Sequence, residues 1–226
     1  DVAFLAIACV AAAYLMAHLV SFEYGRDQGI YTVVADAILE GGAPYKDAWA
    51  RTVAAAEQFN DPGKFTAFIG YEWTSLVKGN NMHRVVVYRD GGDRGGKMVP
   101  FTTIEPEGST TPRKLWSWME EYEKSTGGDV LAIPHNGNLA NGIMFPMAKQ
   151  SDGKRIDAEY VALRDKWEPL YEATQIKGDG ETHPLLSPDD EFADYETWDI
   201  GNLDVSEAKT DDMLAGEYAR EALKRG

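Results

Sequence analysis

The sequence is short of the residues that metal and redox chemistry most often draw on. Its 226 residues include one cysteine, Cys9, which excludes an internal disulfide and a cysteine-rich zinc site. Four histidines are present, His18, His83, His135 and His183, so a metal ligand set must come from these and from carboxylates. Positive charge is also scarce. With 22 Lys and Arg against 37 Asp and Glu, the net charge is −15. That balance argues against nucleic acid as a partner, because such binding relies on cationic side chains to neutralise phosphates. There is no internal repeat and no phosphate-binding loop: the glycine-rich run 89–97 is followed by Met98 where Ser or Thr is needed, and reads as a flexible loop.

What is present is enough for a packed core. Hydrophobic residues make up 44% of the chain and aromatics 11%, which excludes wholesale disorder. The length suits one medium domain with an appendage. About 20 of the 37 acidic residues follow Gln150, as a solvated acidic face would. The chain opens on Asp1, as a fragment or a processed product would.

Residues 2–20 are almost continuously apolar, interrupted only by His18, and close to the roughly 20 residues that span a bilayer as a helix. A signal-peptide core and a buried helix are the rival readings; length favours the membrane helix, with His18 at a helix interface. Cys9 follows Ala6-Ile7-Ala8, a faint lipidation context. The expected partners of the chain therefore include a membrane, through residues 2–20. The expected location is a bacterial membrane or the extracytoplasmic space beside it.

The stretch 65–83 organises the rest. An apolar run, 65–69, ends in Gly70; Glu72 follows; a Lys-Gly-Asn-Asn turn leads to His83 and to a second β-prone run, Val85 to Tyr88. Paired as a hairpin around that turn, Glu72 and His83 fall nearly opposite each other, close enough to share an ion. Thr111-Pro112 opens a helix with Leu115, Trp116, Met119 and Tyr122 on one face, and Gly127-Gly128 closes it. The strand that follows, 130–133, delivers His135. A helix leading into a strand with a reactive residue at its end is the grammar of an α/β barrel or open sheet. Further expectations are a short helix over 50–60, a helix over 157–170, a strand over 170–176 carrying Glu172, a loop over 178–184, and a polar helix over 206–225.

Glu72, His83 and His135 have the ligand chemistry of a divalent ion such as Zn²⁺, Mn²⁺ or Fe²⁺, with positions left open for water. The competing reading is that each histidine is structural. Arg84 is either a substrate-neutralising cation or a salt-bridge residue.

Two resemblances extend this reading. Arg26-Asp27 and Gly41-Gly42-Ala43-Pro44-Tyr45-Lys46-Asp47 resemble the first extracytoplasmic loop of lipid-linked mannosyltransferase-type membrane glycosyltransferases. In such an enzyme Asp27 would be the acidic catalytic candidate. From about residue 50 onward the chain resembles domain of unknown function 3604, a family of the PHP (polymerase and histidinol phosphatase) superfamily of metal-dependent phosphoesterases. The carrying motifs are Asp61-Pro62-Gly63-Lys64-Phe65, Ile69-Gly70-Tyr71-Glu72-Trp73-Thr74, Asn80-Asn81-Met82-His83-Arg84 and Ile133-Pro134-His135-Asn136-Gly137-Asn138.

That resemblance implies an α/β fold, a partial distorted (β/α) barrel, which the N-terminal hydrophobic helix read from residues 2–20 would precede. It implies metals at the strand ends and hydrolysis of a small phosphoester, with Glu72 and His135 as catalytic residues. Glu72 would bridge two metals, His83 and His135 would complete one of them, and Glu181 and His183 are second candidate ligands. The family's His-x-His and Asp-x-His pairs are not in this sequence. The expected organisation is therefore 1–20 membrane helix, 21–49 glycosyltransferase-like loop and 50–226 incomplete PHP-like domain, with weak or absent turnover alone. The alternatives are a membrane-anchored, non-catalytic metal-binding module and a glycosyltransferase fragment.

Overall fold

The computed structural model describes residues 44–224. The expectations for 2–20, and for Cys9, His18 and Asp27, lie outside the described residues. The chain divides into two compact units, Asp1–Arg51 and Thr52–Gly226; the first is described only over 44–51. Among the described residues no helix is long and apolar enough to cross a membrane.

The first described element, α1, runs over Pro44–Phe59, beginning six residues before the expected helix. A proline is compatible with the first turn, where its missing N–H has no intrahelical acceptor anyway.

The second unit is mixed α/β, built on a three-stranded sheet in the order β1 (Gly70–Trp73), β4 (Arg84–Tyr88), β5 (Val130–Pro134). Both pairings are antiparallel, whereas an α/β barrel is built on parallel strands, and the described residues form no closed barrel. Between β1 and β4 the chain makes a smaller ladder, β2 (Leu76–Val77) with β3 (Asn80–Asn81). The expected strand 65–69 does not form. Phe65 and Phe68 stand exposed, and only Ile69 is buried, its carbonyl accepting from Tyr88 N at 3.0 Å.

Strand periodicity gives the sheet two different faces. On β4, Arg84, Val86 and Tyr88 point into the core; on β5, Val130, Ala132 and Pro134 do the same. Helix α3 (Pro112–Thr126) supplies the opposing surface with Leu115, Trp116, Met119 and Tyr122, as its spacing predicts. Tyr88 and Tyr122 meet edge to face with ring centroids 5.0 Å apart. Gly127, at φ 67°, ends the helix in the left-handed conformation that glycine adopts without steric penalty. Burying each of these large side chains contributes about 1.5–3 kcal/mol.

The core face also holds an ion cluster. Arg84 donates through Nε to Glu168 Oε1 at 2.9 Å and through Nη1 to the Met82 carbonyl at 2.6 Å. Trp116 Nε1 donates to the same Glu168 oxygen at 3.0 Å. Arg164 Nη2 lies 3.0 Å from Glu168 Oε2, near enough for charge attraction but not aligned as a hydrogen bond. Both Arg84 and Glu168 side chains are fully buried, so the pair fastens β4 to the end of α4 (Ala158–Trp167). Despite complete burial, Glu168 is held below the usual carboxylate range by its guanidinium partners.

The remaining elements are short. The glycine-rich run contains one helical turn, α2 (Gly92–Gly95), and α4 is capped by Asp157, whose side chain accepts from Tyr160 N at 2.8 Å. The expected strand 170–176 is reduced to β6 (Thr174–Gln175), which pairs with β7 (Gly178–Asp179) in a tight hairpin. The expected helix 206–225 is broken into a 3₁₀ segment, Asp211–Gly216, and a short α5, Ala219–Leu223. Local side-chain bonds account for its late start: Ser206 Oγ donates to Asp204 Oδ1 at 2.6 Å and Glu207 N donates to Asn202 Oδ1 at 3.1 Å.

Candidate metal centre

The sheet face turned away from α3 carries Glu72, His83 and His135. Glu72 pairs with Val85 in the β1–β4 register, so His83, two residues earlier, is its diagonal neighbour rather than its opposite. The inner β2–β3 ladder takes up the residues that would otherwise have placed the two across from each other. Position 83 has the same parity as 85, so both side chains still emerge on one face, and diagonal neighbours are within reach of long side chains. His135 continues β5 beyond Pro134, which pairs with Arg84, and its N–H donates to the His83 carbonyl at 3.1 Å. The two imidazoles stack with ring centroids 6.4 Å apart, inclined by 30°.

Glu72 Oε1 lies 2.7 Å from His83 Nδ1 and 3.9 Å from His135 Nε2. The hydrogen bond from His83 holds the Glu72 carboxyl below its ordinary range, against the opposing effect of its partial burial. An ionised Glu72 accepts, so the proton of that bond sits on His83 Nδ1. On the far side of His135, Nδ1 lies 2.7 Å from Glu172 Oε1, and Glu172 Oε2 accepts from Asn136 N at 3.0 Å. A carboxylate there fixes the proton on Nδ1 and leaves the Nε2 lone pair turned toward Glu72.

Among the described residues no group of three or more His, Cys, Asp or Glu side chains is arranged so that it could hold a metal ion. Glu72, His83 and His135 converge but are drawn together by hydrogen bonding. In tetrahedral zinc sites with bonds near 2.0–2.1 Å, donor atoms lie about 3.4 Å apart. Against that spacing, the 2.7 Å contact is too short and the 3.9 Å contact too long, each by about half an ångström or slightly more. Two imidazoles and a half-exposed carboxylate are the right donor types for a borderline divalent ion. The residues fit the ion on donor chemistry, and an incoming cation would displace the His83 Nδ1 proton.

The chain around the cluster is rich in buried asparagine. Asn81 Oδ1 accepts from His83 N at 2.6 Å and fixes the residue before β4. Asn136 and Asn141 both adopt left-handed backbone, at φ 55° and 43°, conformations that asparagine tolerates better than most residues. Beneath this turn, buried Lys209 donates to the Asn138 carbonyl at 2.9 Å and to both Glu217 carboxylate oxygens at 2.5 Å. Burial pushes Glu217 up to about 7, against the pull of Lys209, while the same burial pushes Lys209 down.

Two expected residues are employed elsewhere. His183 Nε2 lies 3.0 Å from Asp199 Oδ1, its Nδ1 accepts from Leu185 N at 3.1 Å, and its ring packs on Tyr218. With both ring nitrogens engaged, it has no lone pair left for a metal in this arrangement. Glu181 pairs with Arg220 at 2.7 Å. Arg84, of opposite parity to His83, is on the core face and serves as a salt-bridge residue. Glu172 is the site residue whose role sequence reasoning missed. It lies 37 residues from His135 and no local spacing links them.

These features define a mixed α/β protein with a histidine–carboxylate cluster on the open face of a small antiparallel sheet. The chain belongs to the family described as "Protein of unknown function (DUF3604)", whose sequence model matches residues 13–226. That match takes in the 21–49 segment as well as everything after it. No curated protein and no solved structure matches the chain.

Proposed function

We propose that this chain carries a metal-dependent hydrolase domain acting on small phosphoesters, with Glu72, His83 and His135 as metal ligands. The observation that supports it is the convergence of two imidazoles and one ionised carboxylate from three strand ends on one face. The motif likeness to PHP-type phosphoesterases supports the choice of substrate. When bound, a Zn²⁺, Mn²⁺ or Fe²⁺ ion supplies Lewis acidity and lowers the pKa of a water molecule. The chain's own contribution is positional. Glu172 holds His135 in one tautomer, the His83 carbonyl ties the backbone of His135 to that of its neighbour, and Glu72 stays anionic at neutral pH. Attachment to a bacterial membrane through residues 2–20 is part of the same proposal.

A second reading, a metal-binding module without turnover, draws support from the 2.7 Å hydrogen bond that already joins Glu72 to His83. One experiment separates them. Manganese-loaded protein is assayed on 4-nitrophenyl phosphate beside the Glu72→Ala and His135→Ala variants. Weak hydrolysis by the parent chain, as an incomplete domain would give, and its loss in both variants is expected of the hydrolase. A rate equal in all three overturns it, and metal binding without hydrolysis favours the module.

A further inference from the structure

The open face of the sheet continues past the histidine–carboxylate cluster, and strand register fixes what stands beside it. Outward-facing residues follow one another in three rows. His83 and His135 form the first, tied through their backbones. Glu72, Val85 and Ile133 form the second, because Glu72 pairs with Val85 and Val85 with Ile133. Gly70, Val87 and Leu131 form the third, in the same way. Rows are about 6.6 Å apart along a strand, and neighbouring strands about 4.8 Å apart. A cluster residue, Glu72, therefore has an aliphatic side chain directly across from it.

Apart from Glu72, the second and third rows hold no polar side chain. Val85, Val87, Leu131 and Ile133 are half-buried and alternate along β4 and β5 with fully buried neighbours. The two helices fastened to the sheet, α3 and α4, lie against its other face. Gly70 leaves a gap in the third row: a Cβ there would come within 2.8 Å of the Val86 carbonyl oxygen, so no side chain stands beside Val87 on β1. The result is a shallow aliphatic floor, two strands wide and two rows long, with Glu72 and the imidazoles at one end.

We propose that Val85, Val87, Leu131 and Ile133 are the specificity surface of this site, receiving an aryl or branched alkyl group of the ligand that the Glu72–His83–His135 cluster holds. A flat apolar group gains by removing its own surface and that of the floor from water. A sugar gains nothing there, because its hydroxyls would lose water and meet no hydrogen-bonding side chain in either row. The substrate class is then an aryl or branched alkyl phosphomonoester. That choice rests on the phosphoester reading; the apolar surface does not.

Phenylphosphonate and methylphosphonate, which are not turned over, are titrated by calorimetry into the zinc-loaded full chain. The parent is expected to bind the phenyl compound about tenfold or more tightly. Val87→Thr/Leu131→Thr is expected to bring the two affinities within about twofold, the apolar exchange Val87→Leu/Leu131→Val to keep the preference, and Val161→Thr, exposed on α4, to leave it unchanged. Phenol is titrated separately into metal-free protein, and is expected to shift the methyl NMR signals of Val87 and Leu131 but not those of Val161. Equal affinities for the two phosphonates in the parent, or a preference retained in the threonine variant, overturns the assignment and leaves the metal site standing. Phenol shifts at Val87 and Leu131 with neither phosphonate bound leave the apolar surface standing and remove the phosphoester reading. No shift and no phosphonate binding overturns both.

Discussion

His135 donates its backbone N–H to the carbonyl of His83 at 3.1 Å, so two strand ends present two imidazoles side by side as a consequence of sheet pairing alone. Their rings stack 6.4 Å apart, and Glu72 enters from the third strand on the same face. The position of the cluster is set by backbone register. Its fine geometry is set by carboxylates.

Glu172 is the carboxylate with the clearest consequence. Because it holds His135 Nδ1 at 2.7 Å and is itself anchored by Asn136 N, removing it frees the ring to rotate. Glu172→Ala is expected to lower the affinity for zinc by about 10–100-fold, with Glu172→Gln in between. A competition titration against a chromophoric chelator measures this. Affinity unchanged in the alanine variant would remove Glu172 from the site.

Arg84 carries a structural prediction, because it sits on the opposite face. Arg84→Met leaves Glu168 buried beside Trp116 with only the poorly aligned Arg164 as cation. Stability is expected to fall by about 3–5 kcal/mol in urea unfolding. The double variant Arg84→Met/Glu168→Leu is expected to recover part of that, since the two fully buried charges are removed together while Arg164 loses its carboxylate and keeps its bond to the Met144 carbonyl. A double variant no more stable than the single one would contradict this account of the pair.

Glu217 makes stability depend on pH in a defined window. Its folded pKa of about 7 lies above the ordinary value of 4.5, so between these values the folded chain holds a proton that the unfolded chain has released. Stability from this group is therefore full below about pH 4.5 and is lost as pH rises through about 7, by about 1–3 kcal/mol. Glu72 and Glu168 are shifted the other way, and their contributions are lost only on acidification below that window. Urea unfolding at pH 5 and pH 7 measures the slope. Glu217→Gln is expected to flatten it; an equal slope in both proteins would show that Glu217 is ionised throughout.

Much of this was legible in the sequence where a pattern is local. The apolar spacing of Leu115, Trp116, Met119 and Tyr122 gave α3 its buried face, Gly127 its end, and the run 130–133 a strand leading to His135. The proximity of Glu72 and His83 was also legible, but their register was not, because β2 and β3 form an inner ladder too short to show in hydrophobic patterning. The 206–225 segment has helix-compatible residues whose hydrogen bonds are diverted by Asn202, Asp204 and Ser206. Glu172 on His135, and Lys209 on Asn138, are contacts made only when distant segments are folded together.

The central claim is that Glu72, His83 and His135 hold a divalent ion, and equilibrium dialysis against zinc or manganese with elemental analysis tests it most directly. The full chain is expected to retain stoichiometric metal, and the Glu72→Ala/His135→Ala variant to lose it while keeping the circular dichroism spectrum of the parent. Equal metal content in the two proteins, or none in either, would contradict the account.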